Sequence, residues 1–120
     1  MQPEPAAQPP MNLGQLKDLV GDDPEAIRDL LETFVKSGRE RVQALRVAVE
    51  ANNAPQIRHE AHSIKGASGN YGAMRLYELA AQMEKEAAKG TTAGAAAQME
   101  QLNAEYSAVE RYIEGLLAHN

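Results

Sequence analysis

The chain has 120 residues, a formal net charge of −5 at pH 7 and a pI of about 5.2. This length suits one domain with a single core and is too short for two ordinary domains. Because the net field repels phosphate groups, we expect no nucleic acid or anionic membrane surface as a partner. The lack of cysteine excludes disulfides, thiolate zinc sites and a cysteine nucleophile, and it fits a cytoplasmic location. No apolar run approaches the ~20 residues that span a bilayer, so we expect no membrane insertion.

The first ten residues, MQPEPAAQPP, contain four of the six prolines. Proline has no backbone donor and disfavours helix in the residue before it. Residues 1–11 are therefore predicted to form a flexible lead-in, and residues 12–120 to form the domain. The lead-in has two open interpretations, a linker to another domain or a plain terminal segment.

Two helices are predicted after the lead-in. Asn12 is a suitable N-cap for a short helix that Gly21 ends. Asp22 or Asp23 then caps a long second helix, whose apolar residues recur at a 3.6-residue period. Gly38 interrupts this pattern, and we expect a slight bend there.

Three more helices complete the pattern. The third has Pro55 in its first turn and runs to about Gly69, and the fourth covers about Ala73 to Lys89. The fifth is predicted to start at a cap on Thr91 or Thr92 and to carry an apolar seam of near-heptad spacing. No strand pattern occurs. The predicted fold is all-α, an antiparallel four-helix bundle with a short additional N-terminal helix.

The third helix carries an unusual exposed face. At 100° per residue, His62 lies roughly 135° from the centre of the apolar arc, so its imidazole faces solvent. Arg58, Lys65, Gly66 and Gly69 share this face. Glycine within a helix costs roughly 1 kcal/mol relative to alanine, so two glycines here indicate a need for missing side chains. One such need is the approach of another protein to the imidazole. For Gly69, the nearby end of the helix is an alternative reason.

The segments AHSIKG (residues 61–66) and YGA (residues 71–73) resemble the signature of the histidine-phosphotransfer (HPt) family. The resemblance covers about residues 12–117. It implies a four-helix bundle in which His62 accepts a phosphoryl group from a receiver-domain aspartyl phosphate and passes it to another receiver. It also implies no cofactor of the domain's own, since the receiver brings the Mg²⁺. The implied partners are receiver domains of response regulators or of a hybrid sensor histidine kinase in a bacterial two-component phosphorelay, and we expect a monomer.

The side chains around His62 suit this chemistry. Neutral imidazole is a competent nitrogen nucleophile near pH 7. Lys65 supplies a charge for the phosphoryl oxygens, and Arg58 with Lys65 makes a positive spot on an acidic protein. In the family, a Gln or Glu on the next helix orients the imidazole. Glu84 occupies the matching place here and is favoured over Gln82, although an ordinary solvated glutamate remains an open alternative.

Two other histidine motifs do not fit the sequence. His59-Glu60 does not continue as a zinc-protease motif, because position 63 is serine. It also lacks the proline that follows in the phosphoacceptor box of dimeric sensor kinases, and His59 is predicted to be solvated. A helical interaction module without phosphotransfer stays as the alternative function. The sequence does not distinguish a free-standing protein from a domain of a hybrid or chemotaxis kinase.

Overall fold

The structure is a computed structural model that describes residues 9–118, and within these residues it is all-helical, with no strand. The all-α class predicted from periodicity is therefore confirmed. None of the helices in this range combines the length and the apolar character needed to cross a bilayer. The five helices are α1 (Leu13–Val20), α2 (Pro24–Glu50), α3 (Ala54–Asn70), α4 (Met74–Ala88) and α5 (Ala95–Ala118).

Side-chain caps fix the starts of the first three helices. The Asn12 side chain accepts a hydrogen bond from the Gly14 N–H at 2.8 Å, as predicted for α1. At the start of α2 the cap is Asp23 and not Asp22, and its carboxylate accepts from two backbone N–H groups of the first turn. At the start of α3, the Asn53 side chain accepts one hydrogen bond, from the Gln56 N–H at 3.1 Å. Each cap satisfies donors that have no partner inside the helix.

The predicted cap of α5 is wrong. This helix begins at Ala95, whereas a cap on Thr91 or Thr92 would start it about three residues earlier. The Thr91 hydroxyl instead accepts from the Ala93 N–H at 3.1 Å. Threonine can bond the backbone two residues ahead in a turn, and here this local bond competes with helix formation. The other helix ends lie within about one residue of their predicted positions.

The start of the described chain is already packed. Met11, the last residue of the predicted lead-in, is buried at 3% exposure because its side chain joins the apolar core. Asn12 donates its backbone N–H to the Gly72 carbonyl at 3.0 Å. Gly72 has a φ of +69°, and a Cβ at this position would collide with the backbone of Asn12. Packed structure therefore reaches at least one residue before the predicted boundary; residues 1–8 of the lead-in lie outside the described residues.

The helices pack in a defined set of pairs. α2 contacts α3 and α5, α4 contacts the same two helices, and α1 lies on α2. An aromatic cluster fills the space where α2 faces the others: the ring of Phe34 lies 4.5 Å from that of Tyr71 and 6.2 Å from that of Tyr106. This packing holds α3 and α4 side by side, and it presents the outer face of α3 to solvent.

Candidate functional site

The candidate site lies on the outer face of α3. Ile57, Ala61 and Ile64 point inward and are almost fully buried, which fixes the rotation of this helix. His62 therefore points outward, with 67% of its side chain exposed. The prediction of a solvent-facing imidazole in the middle of a helix is confirmed, and an exposed ring can be reached by a group on another protein.

Glu84 of α4 contacts the imidazole directly. Its Oε2 lies 2.9 Å from His62 Nδ1. Gln82 extends toward Glu86 instead, and its Nε2 lies 3.4 Å from Glu86 Oε2. An ionised carboxylate only accepts hydrogen bonds, so Nδ1 must carry the hydrogen of a neutral ring. Among residues 9–118 no group bonds Nε2, so its lone pair stays available on the side of the ring opposite Glu84. The placement of Glu84 rather than Gln82 beside His62 agrees with the sequence-based preference.

Lys65 binds the other oxygen of the same carboxylate. Its Nζ lies 2.7 Å from Glu84 Oε1, and both side chains are about three-quarters or more buried. The hydrogen bond from Lys65 is the main cause that lowers the pKa of the Glu84 carboxyl, with a further contribution from His62. The same bond raises the pKa of the Lys65 ammonium. Near pH 7, Glu84 is therefore ionised and Lys65 is protonated. The Glu84 carboxylate thus bonds two side chains of α3, His62 through Oε2 and Lys65 through Oε1.

The remaining predicted residues fall into different surroundings. Arg58 lies with His62 and Glu84 in a cleft of about 340 Å³. Gly66 lies on the open face, where an added Cβ would meet no atom within 4 Å. A Cβ on Gly69 would instead lie 3.3 Å from the ring of Tyr77 on α4. Packing against α4 is therefore one reason for this second glycine, because a side chain here would require the Tyr77 ring to shift.

The cleft also contains two residues to which the sequence analysis gave no role. Pro55 and His59 line it beside Arg58 and His62. His59 is exposed, as predicted, and makes no side-chain hydrogen bond within residues 9–118. The signal that could have placed it here is its three-residue separation from His62, which puts both rings on neighbouring turns of one face.

A resident metal ion has no set of ligands in this part of the chain. Across residues 9–118, no three His, Cys, Asp or Glu side chains come close enough together to hold one. The site thus offers an exposed nucleophile, an ionised carboxylate that orients it, and two cations, Lys65 and Arg58, within reach of a bound anion.

Comparisons with known proteins agree with this arrangement. The family model described as "Hpt domain" matches residues 29–112. The structure is similar to histidine-containing phosphotransfer protein B (HptB) from Pseudomonas aeruginosa PAO1, with a TM-score of 0.87, 31% identity, and 95% of this chain and 99% of that chain covered. It is also similar in fold to the HPT domain of a sensor hybrid histidine kinase from Shewanella, with a TM-score of 0.79, 17% identity, and 92% and 96% of the chains covered. No curated protein sequence matches the chain.

Proposed function

The chain belongs to the Hpt domain family and has a histidine phosphotransfer role in a phosphorelay, and from that premise we propose that His62 is the residue that carries the phosphoryl group. One observation carries this proposal. His62 is exposed in the middle of α3, and its Nδ1 is bonded to Glu84, so that Nε2 is open to solvent with its lone pair. A nucleophile needs this combination of access and correct tautomer.

The proposed step is an in-line displacement at phosphorus. The Nε2 lone pair attacks the phosphoryl group of a receiver's aspartyl phosphate, a P–N bond forms, and the P–O bond to the aspartate breaks. The receiver recovers its carboxylate, and the Nδ1 hydrogen stays in its bond to Glu84. A second receiver's aspartate reverses the step by attacking phosphorus and releasing the imidazole. No net redox change and no further reactant is needed.

Lys65 and Glu84 have distinct parts in this proposal. Glu84 is a positioning residue, because it acts on the reaction through the orientation and the tautomer of His62. Lys65 acts on charge: its ammonium is held 2.7 Å from Glu84, next to the imidazole, where the phosphoryl oxygens arrive. A fixed cation there stabilises the charge that spreads over these oxygens in the transition state.

The proposed partners are receiver domains of response regulators, of a hybrid sensor histidine kinase, or of both. A receiver surface lined with carboxylates is complementary to Arg58 and Lys65, a local positive spot on a chain of net charge −5. The receiver supplies the aspartate and the Mg²⁺, and this domain acts without a cofactor of its own. Gly66 lets the receiver approach the backbone of α3, and Gly69, which packs beside Tyr77 of α4, continues the same contact surface one turn further on.

The finer architecture belongs to the same proposal. We take α2 to α5 as an antiparallel four-helix bundle with α1 as an additional short helix at its front, and residues 11–120, which include the buried Met11, as the domain. The pairing of α2 and α4 with both α3 and α5 supports this arrangement. We further propose that the domain works as a monomer in the cytoplasm, since one copy presents the complete face around His62.

Phosphotransfer assays with two histidine variants test the proposal. Receivers charged with acetyl phosphate and Mg²⁺ should label the wild-type chain with phosphate that is acid-labile and alkali-stable. His62→Gln should keep the fold and lose the label, whereas the matched control His59→Ala should be labelled nearly normally. Loss of label in the His59 variant alone would overturn the assignment of His62. A wild-type chain that binds receivers and never takes up phosphate would instead establish an interaction module without phosphotransfer.

A further inference from the structure

A second cavity, of about 180 Å³, lies where α2 meets α3 and reaches into the aromatic cluster. It shares no lining residue with the cleft around His62. Its walls are mostly apolar and come largely from side chains of the core. The main contributors are Phe34, Val42, Ile64, Tyr71, Leu76 and Tyr106.

The interior of this cavity offers almost no free polar group. Ser68, Tyr71 and Tyr106 contribute hydroxyls to its lining, and each hydroxyl already donates to a backbone carbonyl, at 2.7, 2.9 and 2.8 Å respectively. No buried side-chain nitrogen or oxygen among residues 9–118 lacks a partner. Water needs two or more polar partners to be held in a cavity. The interior therefore favours an apolar occupant over water.

The mouth of the cavity has the opposite character. Thr33, Ser37 and Arg41 line it from α2, and Thr33 and Arg41 are exposed. Arg41 forms no ion pair in the described part of the chain, in contrast to Arg39, which binds Glu110 and Glu114. An unpaired guanidinium with two hydroxyls beside it provides up to seven donor hydrogens for an anion. The cavity therefore has two parts: an apolar interior, called the chamber below, and a rim that carries the positive charge of Arg41.

We propose that this cavity binds a small aromatic carboxylate, with the ring in the chamber and the carboxylate on the guanidinium of Arg41. An apolar cavity of about 150 Å³ is large enough to take a benzene ring. The planar guanidinium matches a carboxylate through two parallel hydrogen bonds, and the hydroxyls of Thr33 and Ser37 can donate to the same oxygens. This is a ligand site in addition to the phosphotransfer site, and it does not depend on the role proposed for His62.

Titration with benzoate tests the proposal. Amide NMR spectra of the ¹⁵N-labelled chain should show saturable shifts at Gly38, Ala67 and Leu76, with a Kd on the order of 1 mM. Arg41→Gln should weaken benzoate binding about threefold, as expected for one exposed ion pair. Benzyl alcohol, which has the ring without the charge, should bind both proteins equally. The matched control Arg46→Gln removes another arginine of α2 that has no ion pair in the described part of the chain, and it should leave benzoate binding unchanged.

A filling substitution gives the second arm of the test. Ala67→Leu should occupy the chamber and weaken binding of both probes at least tenfold, while Ala81→Leu, on a half-buried position of α4 outside the cavity, should not. Absence of saturable shifts in the wild type, or shifts that survive Ala67→Leu, would overturn the site. Equal benzoate binding by the wild type and Arg41→Gln would overturn the assignment of the carboxylate to Arg41.

Discussion

Gly38 in α2 and Gly66 in α3 are both helical glycines, and the structure gives them opposite surroundings. An added Cβ at Gly38 would lie 2.5 Å from the hydroxyl oxygen of Tyr106 and 2.6 Å from its ring, on a helix 68 positions away in sequence. An added Cβ at Gly66 would meet no atom within 4 Å. Both positions give up roughly 1 kcal/mol of helix propensity relative to alanine. Packing within the domain explains the loss of helix propensity at Gly38, and it does not explain the loss at Gly66.

This difference separates glycine kept for folding from glycine kept for a partner. At Gly38 the missing side chain lets Tyr106 pack on Phe34 and donate its hydroxyl to the Val35 carbonyl at 2.8 Å. At Gly66 the space is empty, and it opens beside His62 on the exposed face. We therefore expect substitutions at Gly38 to affect unfolding and substitutions at Gly66 to affect transfer.

The largest effect is expected from Gly66→Gln. A receiver must bring its aspartate to bonding distance of the imidazole, so a long side chain on the next turn holds the two centres apart. A misplacement of about 1 Å can slow a reaction on the order of 100-fold. A timed transfer assay from a phosphorylated receiver should show a loss of this order, while calorimetry shows an unchanged or raised melting temperature.

The same substitution at Gly115 of α5 is the matched control. Among the atoms of residues 9–118, none would lie within 4 Å of a Cβ there, and α5 does not carry the site. Gly115→Gln should transfer phosphate at the normal rate. If Gly66→Gln destabilises the protein, or if it still accepts phosphate at the normal rate, then the glycine is not kept for the receiver.

The next effect is on stability. Gly38→Ala should lower the free energy of unfolding by up to about 2 kcal/mol, because overpacking costs about 1–3 kcal/mol and the gain in helix propensity offsets about 1 kcal/mol of it. Urea unfolding measures this loss. The matched variant Gly66→Ala should raise stability by up to about 1 kcal/mol. Equal changes in the two alanine variants would remove the distinction between the two glycines.

The sequence predicts local features of this molecule better than distant ones. The caps Asn12 and Asp23 depend on neighbours within one turn, and the exposure of His62 follows from the period of its own helix. The reason for Gly38 lies in Tyr106, and the apolar pattern of α2 predicted only a bend there. The bond between Lys65 and Glu84 also joins two helices, and no local pattern encodes it. The start of α5 was missed because a turn at Thr91 uses the same hydroxyl as a helix cap.

Lys65→Ala, on the same face of α3 as His62, should have a smaller effect on transfer than Gly66→Gln. The transfer rate should fall about tenfold, and the affinity for the receiver should fall by less. If Lys65 stabilises the phosphoryl charge in the transition state, its loss lowers the rate more than it weakens binding. Transfer rates and receiver titrations on the same variant measure both quantities. Lys85→Ala is the control, since this lysine of α4 has no ion pair among residues 9–118. A normal transfer rate in Lys65→Ala would reduce Lys65 to a structural partner of Glu84.

The smallest effect concerns the pH dependence of stability. The pKa of Glu84 is lowered in the folded chain, chiefly by its bond from Lys65, so this carboxylate stabilises the fold above its ordinary pKa. That contribution is lost as the pH falls through the lowered value. The pKa of Lys65 is raised by the same bond, so its contribution is present below its ordinary pKa and is lost as the pH rises through the raised value.

Glu84→Gln keeps an oxygen that can accept from His62 Nδ1 and removes the charge. Urea unfolding of both proteins at a series of pH values should show a stability difference that is constant near neutral pH and shrinks in acid. A difference that is independent of pH in acid would show that Lys65 and Glu84 do not interact in solution through their charges.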